Sequence, residues 1–344
     1  MISYHTARLV IERDVRAEEE ERQIAAPCRT RLLLQAQEAP VCLFFHGFTA
    51  GTYQFEPMGQ SLFQAGYNVV VPCLPGHGQI DDWQADNPPP LPENPRDYLK
   101  FAVKWLRLAQ KLGPQVSIGG ISGGGTISAW LAIEQVEHIH RAVLFAPYFS
   151  GSNPVIDLFV EVFDTYFEWQ NQAGPSYPGF DVAALRAIFQ IGDYVLKRVK
   201  QSPMAPVFTI SSESDRAVNN RDHQRFFEAG LKYQPRCWYH RFGRVLDIPH
   251  TMMTEAEGNR YAHLLIIMTR AYLESDLTWA EIEEIGYRMT RGRTFNAVVA
   301  ELGWQDRSSA NMPAMMTLVD KRAIVEKRQT RNRERSRHAR LYDR

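Results

Sequence analysis

Residues 120–124, Gly-Ile-Ser-Gly-Gly, constrain the fold of this chain more than any other stretch. They follow a short apolar run, residues 116–119, and they open a segment of small and apolar residues, 125–133. We predict a strand, a tight turn with Ser122 at its tip, and a helix, since flanking glycines leave room for a strained turn. The pentapeptide alone also fits a glycine-rich linker or a phosphate-binding turn.

Composition narrows the class of protein. The chain has 344 residues, of which 44% are hydrophobic, enough for one large α/β domain and an addition to it. The formal net charge is +0, which gives no global electrostatic reason for binding nucleic acid or a membrane surface. The four cysteines form no C-x-x-C pair, so we expect neither a disulfide scaffold nor a metal site, and no cofactor.

The N-terminal region carries no sign of a targeting segment. No apolar run follows Met1, and the acidic run at residues 18–21 is unlike a signal peptide. No stretch of the chain approaches the roughly 20 apolar residues that a membrane-spanning helix needs. We therefore expect no membrane span and a cytoplasmic location.

Short apolar runs alternate with helical patterns along the first 274 residues. This alternation is typical of a mostly parallel sheet covered by helices. The predicted strands of this sheet are 41–45, 68–72, 116–119, 142–147, 207–210 and 237–242, and the predicted helices are 55–65, 97–112 and 255–274. Weak strand signals at 7–11 and 30–35 predict an antiparallel edge before the parallel sheet.

Four ordered motifs give the chain a family resemblance. They are His-Gly-Phe-Thr at 46–49, Pro-Gly-His-Gly at 75–78, the turn at 120–124, and a late pair formed by Asp215 and the Pro-His at 249–250. From about residue 40 to residue 267 the chain resembles an α/β-hydrolase, closest to the carboxylesterase and monoacylglycerol-lipase-like branch. The resemblance implies an α/β-hydrolase fold with a mostly parallel central sheet and helices on both faces. It implies a core of residues 1–149 and 207–274 and a helical cap at 150–206. The residues themselves predict a helical, basic C-terminal extension at 275–344.

The resemblance also implies a catalytic site. Ser122, Asp215 and His250 occur in the chain order that this fold uses for nucleophile, acid and base. The backbone N–H groups of Phe48 and Gly123 would form the oxyanion hole.

Other side chains compete for these roles. Asp247 could be the acid, but it lies only three residues before His250, and His240 could be the base, but it falls inside a predicted strand. His46 and His77 belong to the two family loops, and we interpret both as structural.

The predicted cap contains two helical segments and no strand. Its aromatic side chains Phe159, Phe163 and Phe167 are candidates for the roof of an apolar substrate pocket. The alternative is that these rings only pack the cap onto the core.

The C-terminal extension has no counterpart in the resemblance. Residues 279–289 and 295–302 are predicted helices, and arginines crowd the chain after Lys321. A DNA reader of the helix-turn-helix type is one interpretation. Pro313 weakens it, because this proline falls inside the segment that would be the recognition helix. A solvated basic tail or a contact between copies in a homo-oligomer is the favoured alternative, and nucleic acid is not an expected partner.

The function implied by the resemblance is hydrolysis of carboxylic esters of small to medium acyl chains, through a Ser-His-Asp triad and an acyl-enzyme. The expected partner is a small-molecule ester substrate. The alternative is a ligand-binding receptor or regulator on a hydrolase fold, with a C-terminal tail that binds nucleic acid.

Overall fold

A computed structural model describes residues 3–168, 175–326 and 328–330. The strands are β1 (Arg31–Leu33), β2 (Val41–Phe45), β3 (Asn68–Val71), β4 (Val116–Ile121), β5 (Arg141–Phe145), β6 (Tyr166–Glu168), β7 (Gly179–Asp181), β8 (Val207–Ser212) and β9 (Trp238–Phe242). The α-helices are α1 (Tyr4–Glu21), α2 (Glu56–Gln64), α3 (Pro95–Ala109), α4 (Gly123–Glu134), α5 (Pro154–Val162), α6 (Val182–Arg198), α7 (Asn220–Gly230), α8 (Ala262–Leu273), α9 (Trp279–Met289), α10 (Phe295–Leu302) and α11 (Met312–Leu318).

Seven of the strands form one sheet in the order β1-β3-β2-β4-β5-β8-β9. Six of them run parallel, and β1 pairs antiparallel with β3 at one edge. Every residue of β2, β3, β4, β5 and β8 is buried, as expected for strands covered on both faces. Parallel strands end at one edge of the sheet, so the loops that follow β2, β4, β8 and β9 meet there.

The N-terminal region differs from its prediction. The strand predicted at 7–11 lies inside α1, which Ser3 caps by accepting a hydrogen bond from the Thr6 N–H. Ala7 and Ile11 are four residues apart, so both are buried on one face of the helix, whereas Leu9 and Val10 point outward and are 51% and 36% exposed. The five residues 7–11 are too few to distinguish the helical period of 3.6 from the strand period of 2.

The predicted cap region, 150–206, contains two helices and also a two-stranded ribbon, so the expectation of no strand is wrong. In this ribbon β6 pairs antiparallel with β7, and Gly179 lets the strands approach, because a Cβ there would lie 2.5 Å from the Tyr166 ring and the Phe167 carbonyl oxygen. Arg186 of α6 caps the C-terminal end of α5, which ends at Val162. The guanidinium donates to the Val160 and Phe163 carbonyl oxygens at 2.7 and 2.8 Å.

The closing helix begins later than predicted. Helix α8 starts at Ala262, whereas the sequence pattern placed its start at residue 255. Gly258 has φ +101°, outside the helical region, and the buried Asn259 side chain donates to the Met252 carbonyl oxygen at 2.6 Å. Residues 250–261 therefore form an ordered loop rather than a first helical turn.

The chain separates into two compact units, Met1–Ile266 and Ile267–Arg344. The domain prediction set the corresponding boundary at residue 275. In the second unit the predicted helices 279–289 and 295–302 coincide with α9 and α10. A capping box of Thr278 and Glu281 starts α9, and the αL residue Gly303 follows the end of α10.

Pro313 occupies the first turn of α11, a position that a helix tolerates. The expectation that this unit is not a DNA reader stays a prediction. The closely spaced arginines at 331, 333, 335, 337 and 340 lie outside the described residues.

Candidate active site

Ser122 occupies the sharp turn between β4 and α4. Its backbone has φ 54° and ψ −120°, a conformation that is unfavourable for a residue with a Cβ. The surrounding chain fixes it: the Ser122 N–H donates to the Phe145 carbonyl oxygen at 3.0 Å, and its own carbonyl accepts from Thr126 at 2.9 Å. These hydrogen bonds to β5 and α4 therefore stabilise the strained backbone. The Ser122 hydroxyl lies at the carboxyl edge of the sheet.

The glycines of this turn are required for space. A Cβ on Gly120 would lie 2.3 Å from the Gly124 carbonyl oxygen, and a Cβ on Gly124 would lie 2.1 Å from the Phe45 carbonyl oxygen. Both distances are far below van der Waals contact with backbone atoms that cannot move independently. The pattern that marked the turn in the sequence thus reflects close packing of α4 against β2.

The structure brings together the three side chains that the sequence singled out. The Nε2 atom of His250 lies 2.9 Å from the Ser122 hydroxyl, and its Nδ1 atom lies 2.7 Å from Oδ2 of Asp215. Asp215 follows β8 and His250 follows β9, so adjacent strands deliver both to the edge where β4 presents Ser122. The tautomer that satisfies both bonds has Nδ1–H donating to the carboxylate and Nε2 accepting from the hydroxyl.

The second oxygen of the Asp215 carboxylate is held by backbone. Its Oδ1 atom accepts from the N–H groups of Ala217 and Val218 at 2.8 and 3.3 Å. The Asp215 side chain is fully buried, whereas the His250 side chain is 21% exposed. The acid is thus fixed inside the protein and the imidazole faces the accessible side.

The competing side chains lie elsewhere. Asp247 is exposed, in a left-handed turn with φ 45°, and Asp215 occupies the position beside Nδ1 of His250. His240 lies within β9 with its ring against Phe242, at a centroid distance of 4.5 Å.

The two ionisable partners shift each other in opposite directions. Burial favours the neutral form of Asp215, but the charge and hydrogen bond of His250, with the two backbone N–H groups, outweigh it and lower the pKa of Asp215. Burial likewise favours neutral His250, but the Asp215 charge and hydrogen bond outweigh it and raise the pKa of His250 from its usual value. The pair therefore stabilises an imidazolium, the form that a base takes after accepting a proton.

The predicted oxyanion donors lie next to each other. Phe48 belongs to the loop after β2, and Gly123 is the first residue of α4. A Cβ built on Gly123 would sit 3.4 Å from the Phe48 Cβ, which is ordinary contact distance. The helix start adds partial positive charge at this point.

Two buried histidines fix the loop that carries Phe48. The His46 ring donates from Nδ1 to the Gly47 carbonyl oxygen and accepts at Nε2 from the Leu74 N–H, both at 2.9 Å. His77 donates from Nδ1 to the Pro75 carbonyl oxygen and accepts at Nε2 from the Thr49 N–H at 3.1 Å.

Burial lowers the pKa of both rings, to about 3 for His46 and about 4 for His77. For His46, the neighbouring His77 acts in the same direction. They are neutral at physiological pH, and each bridges two pieces of backbone. Both therefore serve as scaffold in this arrangement.

Of the three predicted pocket aromatics, Phe167 connects through Phe180 to Phe48, whereas Phe159 and Phe163 stack on each other. Phe163 is 53% exposed and Phe159 stacks on it with ring centroids 5.2 Å apart. Phe167 is 40% exposed and contacts Phe180 at 5.4 Å, and Phe180 in turn meets Phe48 edge-on at 5.0 Å.

Sequence reasoning missed two residues that lie closer to the turn. Phe180 of β7 is 2% exposed and reaches Phe48, and Ile188 of α6 is 1% exposed and faces Gly123. A Cβ on Gly123 would meet the Ile188 Cγ2 at 3.4 Å. The apolar stripe of α6 signalled that Ile188 would be buried, but it held no information about what the side chain would face.

One cavity in the first unit has a different character. It has a volume of about 300 Å³ and is lined mainly by charged side chains of α1 and the segment before β1, including Glu12, Arg16, Glu19 and Arg29. Ser122, Asp215 and His250 do not line it.

Among residues 3–168, 175–326 and 328–330, no three His, Cys, Asp or Glu side chains converge in a way that could hold a metal ion. The helices of the described part of the chain are all too short or too polar to cross a bilayer.

Comparison with known proteins agrees with this architecture. The sequence model of the α/β-hydrolase fold family matches residues 40–192, a range that includes Ser122 and ends before Asp215 and His250. The thermostable monoacylglycerol lipase of Bacillus sp. (strain H-257) is 28% identical over 107 residues, which is 28% of this chain and 37% of that lipase. The chain thus matches little more than a third of the length of this curated relative.

Solved structures match over more of the chain. A structure from the study of LipS and LipT, two metagenome-derived lipolytic enzymes, has a TM-score of 0.58 at 17% identity and covers 73% of this chain and 99% of its own. A soluble variant of monoglyceride lipase from Saccharomyces cerevisiae has a TM-score of 0.55 at 14% identity and covers 71% of this chain and 90% of its own.

The sheet order, the turn at Ser122 and these matches show that the chain has the α/β-hydrolase fold, so the predicted mostly parallel sheet covered by helices is confirmed. Within that class, the proteins named above that it resembles are lipases and other lipolytic enzymes.

Proposed function

We propose that this protein is a serine hydrolase that cleaves carboxylic esters through an acyl-enzyme. The observation that carries the proposal is the unbroken chain of hydrogen bonds from Ser122 through His250 to Asp215, at 2.9 and 2.7 Å. A serine hydroxyl is a weak nucleophile at neutral pH and needs a base within this reach. The resemblance to lipases agrees with the same reaction class.

Acylation follows from this geometry. The Ser122 Oγ attacks the ester carbonyl carbon while its proton passes to Nε2 of His250. Asp215 stabilises the resulting imidazolium and holds the ring in the productive tautomer. The carbonyl oxygen becomes an oxyanion, which accepts hydrogen bonds from the N–H groups of Gly123 and Phe48, each worth about 3–4 kcal/mol of barrier. The ester C–O bond then breaks, and the imidazolium gives its proton to the departing alcohol.

Deacylation reverses the roles. Water attacks the acyl carbon while its proton passes to Nε2 of His250, and the same two N–H groups hold the second oxyanion. The bond between the acyl carbon and the Ser122 Oγ breaks, the serine recovers the proton, and the carboxylic acid leaves.

We propose a substrate with a small to medium acyl chain. Phe48 and Ile188 both lie 3.4 Å from the Cβ position of Gly123, and Phe180 and Phe167 continue an apolar surface from Phe48. An apolar wall this close to the nucleophile suits an alkyl group and restricts its bulk.

A fluorophosphonate probe and a series of p-nitrophenyl esters test the function. The wild type should be labelled covalently and should hydrolyse the esters, whereas Ser122→Ala should take no label and lose at least about 10³-fold in kcat. Ser61 of α2, a helix that packs against β1 and β3, supplies the matched control, since Ser61→Ala should keep both properties. Labelling without turnover of any ester would instead favour a ligand-binding receptor, and no labelling at all would refute the proposal.

A further inference from the structure

A buried glutamine joins the two loops that carry the proposed oxyanion donor and the proposed base. Gln54 lies in a 3₁₀ turn, Thr52–Phe55, and is 2% exposed. Its Oε1 atom accepts from the Gly47 N–H at 2.8 Å, and its Nε2 atom donates to Oε1 of Glu257 at 2.7 Å. Because an N–H can only donate and a carboxylate can only accept, this is the one amide orientation that satisfies both neighbours.

Glu257 holds the loop that follows His250. Its Oε2 atom accepts from the Thr254 hydroxyl at 2.9 Å, and its backbone carbonyl accepts from the Thr251 hydroxyl at 2.9 Å. The Glu257 N–H donates to the Thr254 Oγ1 at 3.2 Å, which closes the turn. Each carboxylate oxygen thus has a hydrogen-bond partner, and Thr251 is the residue next to the base.

The Glu257 carboxylate is only 7% exposed, and burying a charge is costly unless something compensates it. Burial raises the pKa of Glu257, and the hydrogen bonds from Gln54 and Thr254 oppose this, as does the positive charge of His250. The positive charge that acts on this carboxylate is that of His250, and burial outweighs it. A neutral amide at 257 would join the loops equally well, so the charge itself calls for an explanation.

The imidazole is surrounded by a small set of titratable groups. Asp215 and Glu257 both favour its charged form. Buried His223 of α7, whose own pKa is lowered to about 4 mainly by burial, bonds to the Ser211 hydroxyl and the Pro147 carbonyl oxygen. Around Glu257 the neighbouring groups are His250 and Tyr53 of the 3₁₀ turn, whose phenol is largely buried.

We propose that Gln54 and Glu257 are positioning residues of the reaction described above. They hold the loop bearing Phe48 in register with the loop bearing His250, and Glu257 supplies a second negative charge for the imidazolium. This inference rests on the proposed function. It separates two effects, a tether that Gln54 completes and a charge that Glu257 carries.

Two variants separate these effects. Glu257→Gln keeps the tether, because the new amide can accept from Gln54 and donate to the Thr254 hydroxyl oxygen, and it removes only the charge. We expect the acid limb of kcat/KM against pH to move to lower pH by about one unit, with about a tenfold lower plateau in kcat. Gln54→Leu breaks the tether and leaves the Glu257 side chain in place. We expect kcat to fall about 10- to 100-fold, with KM changed less than about threefold.

Gln35→Leu is the matched control. Gln35 also joins two segments through its side chain, donating to the Phe63 and Tyr67 carbonyl oxygens at 2.7 and 3.2 Å. It lies beyond β1, away from the site, so the same substitution should leave kcat and the pH profile unchanged. Thermal unfolding of all three variants shows whether each is folded. If Gln54→Leu is unfolded, Glu257→Gln decides the inference.

An NMR titration of the His250 ring in a Ser122→Ala background gives a readout independent of turnover. Adding Glu257→Gln should lower the pKa of this ring by the same unit. An active wild type whose pH limb and ring titration do not respond to Glu257→Gln, or whose kcat is as insensitive to Gln54→Leu as to Gln35→Leu, overturns this inference alone. A wild type that neither takes the probe nor hydrolyses esters overturns the proposed function instead.

Discussion

At the scale of single residues, the environments of four histidines near the site decide their roles. His46, His77 and His223 are completely buried, bond to backbone carbonyl groups, and have pKa values lowered to about 3, 4 and 4. His250 is partly exposed, bonds to a carboxylate, and has a raised pKa. The same side chain is scaffold in three places and a candidate base in the fourth.

The raised pKa of His250 has a direct consequence for activity. The base acts in its neutral form, so kcat/KM should fall as the pH drops through the pKa of His250, which the Asp215 charge raises although burial opposes it. Asp215→Asn should move this fall to lower pH, because the charge that raises the pKa is lost. It should also lower kcat by about 10³- to 10⁴-fold, because an amide favours the wrong ring tautomer. Ester hydrolysis measured across about pH 5 to 9 tests both expectations.

Asp247→Asn is the control for this experiment. Asp247 is exposed and near His250 in sequence, and asparagine tolerates its left-handed backbone. Its pH profile should match the wild type. An Asp215→Asn variant within about tenfold of wild-type kcat would contradict the proposed role of Asp215.

At the scale of elements, α6 connects the predicted cap to the turn at Ser122. Its buried stripe includes Ala184, Ala187, Ile188, Ile191 and Val195. Gly192 lets the helix approach the backbone of residues 148–149, because a Cβ there would lie 2.7 Å from the Phe149 carbonyl oxygen. This close packing sets Ile188 over Gly123 at contact distance.

Shortening Ile188 should therefore widen the space beside the nucleophile. Ile188→Ala should shift the preference between an octanoyl and a butyryl ester towards the longer chain by about tenfold. The same change removes a buried side chain and should lower the free energy of unfolding by about 2–4 kcal/mol. Specificity constants across acyl lengths and urea unfolding measure the two effects.

Val195→Ala provides the comparison for Ile188→Ala. Val195 is completely buried on the same helix, about two turns further along. It should lose stability without any change of chain-length preference. An equal shift of preference in both variants would show that helix packing, rather than the wall beside Gly123, sets the specificity.

Local patterns predicted some elements well and others poorly. The predicted helix 97–112 agrees with α3, because Tyr98, Ala102, Trp105, Leu106 and Ala109 follow one helical stripe. The strand predicted at 7–11 failed because its apolar run fits either period. The ribbon of β6 and β7 was missed because its pairing depends on residues more than ten positions apart.

At the scale of the whole molecule, the core determines the chemistry of the thiols. All four cysteines are free, and Cys28, Cys42 and Cys237 are buried. Burial raises the pKa of Cys28 to about 11 and that of Cys237 to about 12, and it also raises those of Cys42 and Cys73. The reactive thiolate form is therefore scarce in the native state.

Reaction with Ellman's reagent should report on native structure. We expect all four thiols to react at once in guanidinium chloride and none to react rapidly in buffer, because each must first be exposed by an opening of the fold. Any single thiol that reacts fully in native buffer within the mixing time would contradict this account.

The sequence by itself determined the elements whose requirements are local. The turn at 120–124 was identifiable because only glycines fit where α4 meets β2 so closely, and the buried parallel strands were identifiable from their continuous apolar runs. The predicted partners Asp215 and His250 were implied by the family resemblance, through the chain order of Ser122, Asp215 and His250.

Only the tertiary structure decided which groups meet across that edge. Gln54 and Glu257 are 203 positions apart, and Ile188 reaches Gly123 from a separate helix. No local pattern marks such contacts, because they arise from the packing of distant segments and the need to satisfy buried polar groups. The sequence thus predicted the candidate triad, while the tether between its loops and the wall beside it became visible only in the folded chain.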